Sequence, residues 1–339
     1  MYSCNSTSLH PYPMISITST YDLITLLISE TIDDQERSAA FQELVSRPMT
    51  PQALSDGRRA MRERMVPVSL SPDTIDTCGT GGSGKKTINT STLAAFIVAV
   101  AGGKVAKHGN RSASGNCGSF DLLEHLGARI NLSPKEEKQV FDELGIVFLF
   151  APLHHPAMKF VGPLRKAYGK KTLFNYLGPL SNPAGVKRQL IGNGNHEAAM
   201  LFVQSLQQDG DRHALIVTGD DGLDEVTVTA PTTIRTVRGD AILETRFSPG
   251  QLSLPLYAEK DIEGGTAAEN AAIFLDLAKG QGDDARKALI LVNAAHALLL
   301  TNRFPSLAEA YATTKEILAS GKVLALIERY CRLTNSVKS

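Results

Sequence analysis

The sequence is short of cysteine, of net charge and of long apolar runs, and each shortage removes a class of protein. Its cysteines are Cys4, Cys78, Cys117 and Cys331, scattered over the chain with no CxxC or CxxH spacing. That pattern offers neither a zinc site nor a disulfide framework, and reduced thiols in a cytoplasm are the simplest reading. Lys plus Arg number 35 and Asp plus Glu number 35, for a formal net charge of zero. A dedicated nucleic-acid binder usually carries a basic surplus, so the balance argues against one. No apolar run approaches the ~20 residues of a membrane helix. The first Lys or Arg is Arg37, so the N-terminus lacks the basic segment of a secretory signal. A soluble, cytoplasmic protein is expected.

What remains is ordinary globular material. The 339 residues, 42% hydrophobic and 21% charged, suffice for one large domain or two unequal ones. Residues 1–20, rich in Ser, Thr and Pro, predict a flexible extension. From Tyr21 to about Met65 the apolar spacing is helical, with Thr50-Pro51 marking one helix start. Beyond Pro67 the character changes. Thr74 to Thr77, Val105-Ala106, the wholly apolar Ile146–Phe150 and Ala214 to Val217 read as strands. Leu93 to Ala101, stopped by Gly102-Gly103, and Leu122 to Leu126, stopped by Gly127, read as helices. This alternation predicts an α/β domain with a central, mostly parallel sheet flanked by helices. Residues from about 152 to 190 carry many Pro, Gly and Lys residues and little strand character, so they are expected to rejoin the helical segment. Val226 to Phe247 reads as antiparallel strands. Helices follow over Ala267–Ala278 and Asp284–Thr301, then an interrupted pair over Ser306–Leu333.

The segment Gly79-Thr80-Gly81-Gly82-Ser83-Gly84-Lys85-Lys86-Thr87 follows the first strand and precedes a helix. Glycines let backbone N–H groups close on an anion, and the next helix adds its positive end. A plain strand–helix turn does not need so many glycines, so a phosphate cradle is the better reading. Two familiar motifs overlap here and both fail. Gly79, Gly81 and Gly84 fit GxGxxG, but no acidic residue lies near Val100–Lys104 to hold a ribose. Gly79, Gly84 and Lys85 resemble a P-loop, but Lys86 stands where Ser or Thr would hold Mg²⁺. Asn89-Thr90-Ser91-Thr92 supplies more polar groups than one helix cap requires.

Lys107-His108-Gly109-Asn110-Arg111-Ser112 follows the second strand, at the edge where α/β sheets bind ligands. Its cations suit phosphate, and its amide suits a sugar or substrate. Asp220-Asp221-Gly222-Leu223-Asp224-Glu225 follows a later strand. Adjacent carboxylates are usually solvated turn residues. Beside a phosphate cradle they suggest Mg²⁺ with a pyrophosphate substrate.

Taken in order, Asp76–Gly82, Lys107–Ser112, Leu177-Gly178-Pro179-Leu180-Ser181-Asn182-Pro183 and Asp221–Glu225 resemble the anthranilate phosphoribosyltransferase family. The resemblance runs from about Thr50 to the C-terminal helices and more loosely back to Tyr21. It implies a small helical domain, residues 21–68 plus about 153–187, hinged to a larger α/β domain of 69–152 plus 188–339. It implies transfer of phosphoribose from phosphoribosyl pyrophosphate to the amine of anthranilate. On the donor side it points to Gly79, Gly82, Ser83, Thr87, Asn89, Ser91, Thr92, Lys107 and Ser119. Ser91, Asp224 and Glu225 fall on metal positions, with about one or two Mg²⁺ ions per subunit. Gly79, His108, Asn110, His155, Arg165 and Pro179 fall on the anthranilate side, and Lys107, His108 and Arg165 are the candidate catalytic groups. The family commonly dimerises through the helical domain. Ser83 replaces a usual acidic residue, and the N-terminal region is about one helix short.

Three rivals follow from the same residues. A pyrimidine-nucleoside phosphorylase would carry Lys-His-Ser-Thr-Gly where this chain has Lys107-His108-Gly109-Asn110-Arg111. A paralogue would use another aromatic amine. A non-catalytic nucleic-acid-binding relative would show a basic surplus and eroded motifs.

Overall fold

The computed structural model describes residues 19–80, 85–112 and 117–338. The expected extension therefore lies almost wholly outside the described residues. Three helices open the chain: α1 (Thr20–Leu27), α2 (Asp34–Ser46) and α3 (Pro51–Glu63). Ser19, Asp33 and Thr50 cap them through side-chain oxygens, and Pro51 sits in the first turn of α3. Alternation follows with β1 (Ile75–Gly79), α4 (Thr90–Val100), β2 (Val105–Gly109), α5 (Ser119–His125), α6 (Pro134–Leu144) and β3 (Ile146–Phe150). Short helices α7 (Ala151–His154), α8 (Gly162–Tyr168) and α9 (Phe174–Leu180) lead into β4 (Arg188–Gly192). The chain continues through α10 (His196–Gln207), β5 (His213–Gly219) and the hairpin β6 (Thr232–Arg238) and β7 (Ala241–Phe247). It closes with α11 (Ala267–Ala278), α12 (Asp284–Leu299), α13 (Leu307–Ala319) and α14 (Lys322–Ser336).

The seven strands form one sheet in the order β3-β2-β1-β4-β5-β6-β7. β1 to β5 are parallel, and the last two strands pair antiparallel. The chain runs outward from β1 in one direction through β2 and β3, then returns to place β4 on the other side of β1. The β1–β4 boundary is therefore a topological switch point, the place where such sheets open a crevice at their carboxyl ends.

Two readings of the sequence need correction. β4 begins at Arg188, inside the stretch judged poor in strand, because Arg188-Gln189 places polar residues at the start of a buried strand. No strand begins at Val226. Residues 226–231 form a loop held by side-chain bonds, and β6 starts only at Thr232.

Side chains alternate across the sheet, and the two faces have different covers. Ile75, Leu190, Leu215 and Val217 belong to the cluster containing α4 and α12–α14. Phe96 of α4 is fully buried among Phe148, Phe274 and Tyr330, with ring centroids 5.3, 6.3 and 5.8 Å away. Truncating such a ring to Ala typically costs about 3–5 kcal/mol, so α4 is firmly seated on the sheet. Cys78, Ile191, Ala214 and Ile216 face the opposite cluster, which includes α10, α1–α3 and α9. There Arg58 of α3 pairs with Asp209, and Arg212 Nε bonds the same carboxylate at 2.8 Å.

Candidate active site

One cleft of about 950 Å³ opens at the carboxyl ends of β1, β2, β4 and β5. It gathers Gly79, Thr87, Asn89, Ser91, Thr92, Lys107, His108, Asn110, Ser119, His155, Arg165, Pro179, Asp224 and Glu225. Gly82 and Ser83 lie outside the described residues.

The acidic loop sits on the switch point. A Cβ on Gly79 would lie 2.9 Å from Asp224 Oδ2, and one on Gly192 would lie 1.7 Å from the Asp224 carbonyl oxygen. Asp224 thus covers the ends of β1 and β4 together, and only glycine admits its backbone at Gly192. Its neighbour Glu225 has a buried Oε2 with no hydrogen-bond partner among the described residues. Burial, and next the charge of Asp224, push the Glu225 carboxyl up to about 8. A buried carboxyl beside a second acidic side chain, with one oxygen unsatisfied among the described residues, has donor chemistry that suits a divalent cation. Two carboxylates are what Mg²⁺ usually takes from protein, phosphate oxygens and water completing its shell. No cluster of three or more His, Cys, Asp or Glu side chains fit to hold a metal occurs among the described residues. Ser91 borders the same cleft, and its carbonyl accepts from Thr77 Oγ1 at 3.1 Å.

The start of α4 faces this pair. Asn89 occupies the cap position without a side-chain cap bond. Its amide instead donates to Cys117 O at 2.9 Å, and its oxygen accepts from Asn270 Nδ2 at 3.3 Å. Asn89 therefore ties the loop before α5 to α11 and leaves the helix end to other groups. Thr92 Oγ1 is buried without a partner among the described residues. Thr87 pairs with Glu263 in an isolated bridge, and Lys86 O accepts from Gly264 N at 2.7 Å, which fixes the chain leaving the glycine loop. Ser119 packs its hydroxyl over Gly109, where a Cβ would come within 2.5 Å.

Strand β2 splits its functional residues between the faces. Lys107 and His108 are consecutive, so their side chains diverge. Lys107, almost fully buried, donates to Thr77 O and faces the charges of Asp76 and Glu225. His108 turns toward α9, with Nδ1 3.1 Å from Gly178 O. A carbonyl only accepts, so Nδ1 carries the proton and Nε2 is a bare acceptor. That Nε2 is buried and unpartnered among the described residues. His155 lies with its ring centroid 5.2 Å from that of His108. Its Nε2 donates to Ser181 O at 2.9 Å, leaving Nδ1 bare and unpartnered in the same sense. Burial holds both rings neutral: His108 falls well below its ordinary value, and His155 falls to about 4.

Arg165 on α8 borders the cleft from the helical side, its guanidinium 5.8 Å from the Phe174 ring centroid. No carboxylate pairs with it among the described residues, and burial lowers its pKa. Pro179 is held in the wall because Gln189 Nε2 donates to its carbonyl at 2.7 Å. Asn110 stands at the rim, its Oδ1 accepting from Arg111 N at 2.8 Å.

Sequence reasoning quoted Asp76 and Asn182 only as members of the family motifs, without a role of their own, and did not name Asn270 or Asn293. Asp76 is fully buried, accepting from His108 N at 3.3 Å and from Asn182 Nδ2 at 2.9 Å. Burial raises its pKa against the pull of Lys107. An acidic residue inside a buried strand was the available signal. Asn270 and Asn293 gave none, since their partners are distant in sequence.

Comparison with known proteins identifies the fold and the family. The family model described as "Glycosyl transferase family, a/b domain" matches residues 71–324. Anthranilate phosphoribosyltransferase of Moorella thermoacetica is 44% identical over 271 residues, covering 80% of each chain. The crystal structure of anthranilate phosphoribosyltransferase from Thermus thermophilus superposes with a TM-score of 0.87 at 34% identity, covering 94% of this chain and 95% of that one. The Saccharomyces cerevisiae enzyme in complex with PRPP and Mg shares the fold, with a TM-score of 0.84 at 24% identity over 94% of each chain. Motif order, sheet topology and the extent of these matches agree: the chain belongs to the anthranilate phosphoribosyltransferase family.

Proposed function

We propose that this protein transfers the 5-phosphoribosyl group of phosphoribosyl pyrophosphate to the amine of anthranilate, releasing pyrophosphate. One observation carries the reading. A single cleft joins the Asp224–Glu225 pair, with Glu225 Oε2 unsatisfied among the described residues, to the Arg165 guanidinium on the helical side, which has no carboxylate partner among them. The first suits a metal-bound diphosphate, and the second suits an aromatic carboxylate.

The donor lies toward the glycine loop and α4, with its diphosphate between the helix N-terminus and the acid pair. Asp224 and Glu225 would hold Mg²⁺, with Ser91 near, and the ion would supply positive charge for the leaving diphosphate. The amine nitrogen attacks C1 of the ribose. The C1–O bond breaks, its electron pair leaves with pyrophosphate, and the nitrogen sheds a proton. Lys107 adds a cation on the diphosphate side, while Gly79, Thr87, Asn89, Thr92 and Ser119 shape that side of the cleft. Arg165 fixes the acceptor carboxylate by charge-assisted hydrogen bonds, and Asn110 and Pro179 bound the same space. The bare Nε2 of His108 and Nδ1 of His155 are acceptors suited to amine hydrogens. Because both rings are neutral, they do not repel the positive charge that develops on nitrogen and ribose.

We further propose that residues 21–68 and about 153–187 move as one helical unit against 69–152 plus 188–339. The chain passes between the two parts near Val66, His154 and Pro183. Val66 N bonds His154 O at 2.8 Å and Val68 N bonds Pro183 O at 3.2 Å, a compact set of crossings. Closure would exclude water from an activated ribose. A homodimer through the helical unit and a cytoplasmic location complete the reading; no helix among the described residues is long and apolar enough to cross a membrane.

Loss of anthranilate fluorescence on addition of phosphoribosyl pyrophosphate and Mg²⁺, with pyrophosphate released in equal amount, is the expected result. Well-folded protein that consumes neither substrate would overturn the assignment.

A further inference from the structure

The acid pair is braced from both sides by side chains whose hydrogen bonds all go to the protein itself, Asn293 among them at the edge of the cleft. Residues 288–298 of α12 are all buried, and Asn293 and His296 are the polar ones among them. His296 spends its Nδ1 on Val292 O of its own helix. Asn293 reaches off the helix. Its Oδ1 accepts from Val226 N at 2.9 Å, and its Nδ2 donates to Val226 O at 2.8 Å and to Leu289 O at 2.8 Å. One amide thus grips both polar groups of the residue that follows Glu225. On the other side, Asp221 Oδ1 accepts from Leu223 N at 3.0 Å, and its Oδ2 takes the hydroxyls of Thr227, at 2.8 Å, and of Thr229. Gly219 N closes the loop onto Leu223 O at 3.0 Å.

We infer that Asn293 and Asp221 are positioning residues for the cation site, fixing the loop so that Asp224 and Glu225 are held together before a cation arrives. The physical need is plain. Two carboxyl groups brought to one ion resist ionising together, and Mg²⁺ accepts only near-ideal octahedral geometry. A loop free to relax would separate the carboxylates, and each binding event would have to reassemble them. A buried asparagine in an apolar helix face is costly unless every polar atom is used, and here both are used, two of its three bonds on this one residue. Outer-shell partners of metal ligands typically change metal affinity by about 10- to 100-fold when removed.

The inference rests on the metal site proposed above, and the experiment separates the two. Mn²⁺ binding, in the presence of inorganic pyrophosphate, is titrated by electron paramagnetic resonance without turnover. If wild-type protein shows no uptake that the Asp224→Asn/Glu225→Gln double variant abolishes, the metal site itself is wrong. Given that uptake, Asn293→Ala is expected to weaken Mn²⁺ binding by about 10- to 100-fold, with the anthranilate KM at saturating Mg²⁺ unchanged. Thr314→Ala is the structural control. It removes an equally buried helix hydroxyl bonded to Tyr311 O at 2.7 Å, so it should lower the melting temperature and leave Mn²⁺ affinity alone. Should Asn293→Ala not fold, the isosteric Asp221→Asn carries the test, with weaker Mn²⁺ binding again expected. Wild-type affinity in a folded variant overturns the assignment. Failure of both variants to fold also overturns it, since the groups would then be structural.

Discussion

Replacing Glu225 by Gln should make the metal-free protein more stable, by an amount that grows with pH. The carboxyl stands at about 8 instead of its ordinary 4.5, with burial as the larger cause and Asp224 the next. The sign follows from linkage. The unfolded chain ionises above 4.5 while the folded chain resists until about 8, so stability present below 4.5 is lost as pH rises between those values. At about 1.36 kcal/mol per pH unit, the wild type forfeits roughly 1 kcal/mol at pH 5, about 3 kcal/mol at pH 7 and about 5 kcal/mol at pH 9. Gln carries no charge and escapes the penalty. Urea unfolding in EDTA at those three pH values should therefore show a gap that opens between pH 5 and pH 8 and then levels. Mg²⁺ with pyrophosphate should reverse the order, because only the wild type gains RT ln(1 + [L]/Kd) from binding. A gap independent of pH, or a variant less stable than wild type at pH 9, would refute the claim that burial beside Asp224 holds the Glu225 carboxyl protonated.

Other expectations can be checked alongside. Arg165→Ala should raise the anthranilate KM by at least about tenfold, the worth of a charge-assisted hydrogen bond at roughly 1.5–3 kcal/mol, with little change for the donor. Equal effects on both substrates would remove it from the acceptor side. Gly192→Ala puts a Cβ 1.7 Å from a backbone oxygen and should destabilise the fold by about 1–3 kcal/mol or more. Gly79→Ala meets only a carboxylate tip at 2.9 Å, so it should fold normally but bind Mn²⁺ more weakly; the reverse ranking in thermal melts would contradict the placement of Asp224. Since burial keeps His108 and His155 neutral, kcat/KM for anthranilate should show no inflection near 6.5 between pH 5 and pH 8. An inflection there that His108→Gln removes would mean the ring titrates during turnover.

Local rules made much of this architecture legible. Thr50-Pro51 marks the start of α3, Ile146–Phe150 is a buried parallel strand, and Gly102 and Gly127 take positive φ just past α4 and α5. The glycine loop, the basic run on β2 and the acidic loop were visible as clusters because each is contiguous in sequence. What escaped is non-local. β4 carries too few residues of strand type to announce itself, and its place beside β1 is a consequence of topology. Asn182, Asn270 and Asn293 act on residues 106, 181 and 67 positions away. No window of sequence joins such partners, and asparagine is by habit a turn residue, so its use as a buried clamp leaves no local mark.

Five of the unsatisfied buried atoms among the described residues sort by substrate, and that sorting connects sheet geometry to chemistry. Buried polar groups ordinarily find partners, so those that lack one need a reason. Thr92 Oγ1 and Glu225 Oε2 lie by the start of α4, where the diphosphate is proposed to sit. His108 Nε2, His155 Nδ1 and Ser181 Oγ lie toward α9, where the amine is proposed to arrive. The divide between the two sets is the strand itself: Lys107 and His108 share a peptide bond and serve opposite faces. A two-residue alternation thus keeps a buried cation with the leaving group and a neutral acceptor with the incoming nitrogen. A one-residue slip of β2 against β1 would exchange those roles, which is reason enough for Asp76 to accept from the His108 amide and lock the register at 3.3 Å.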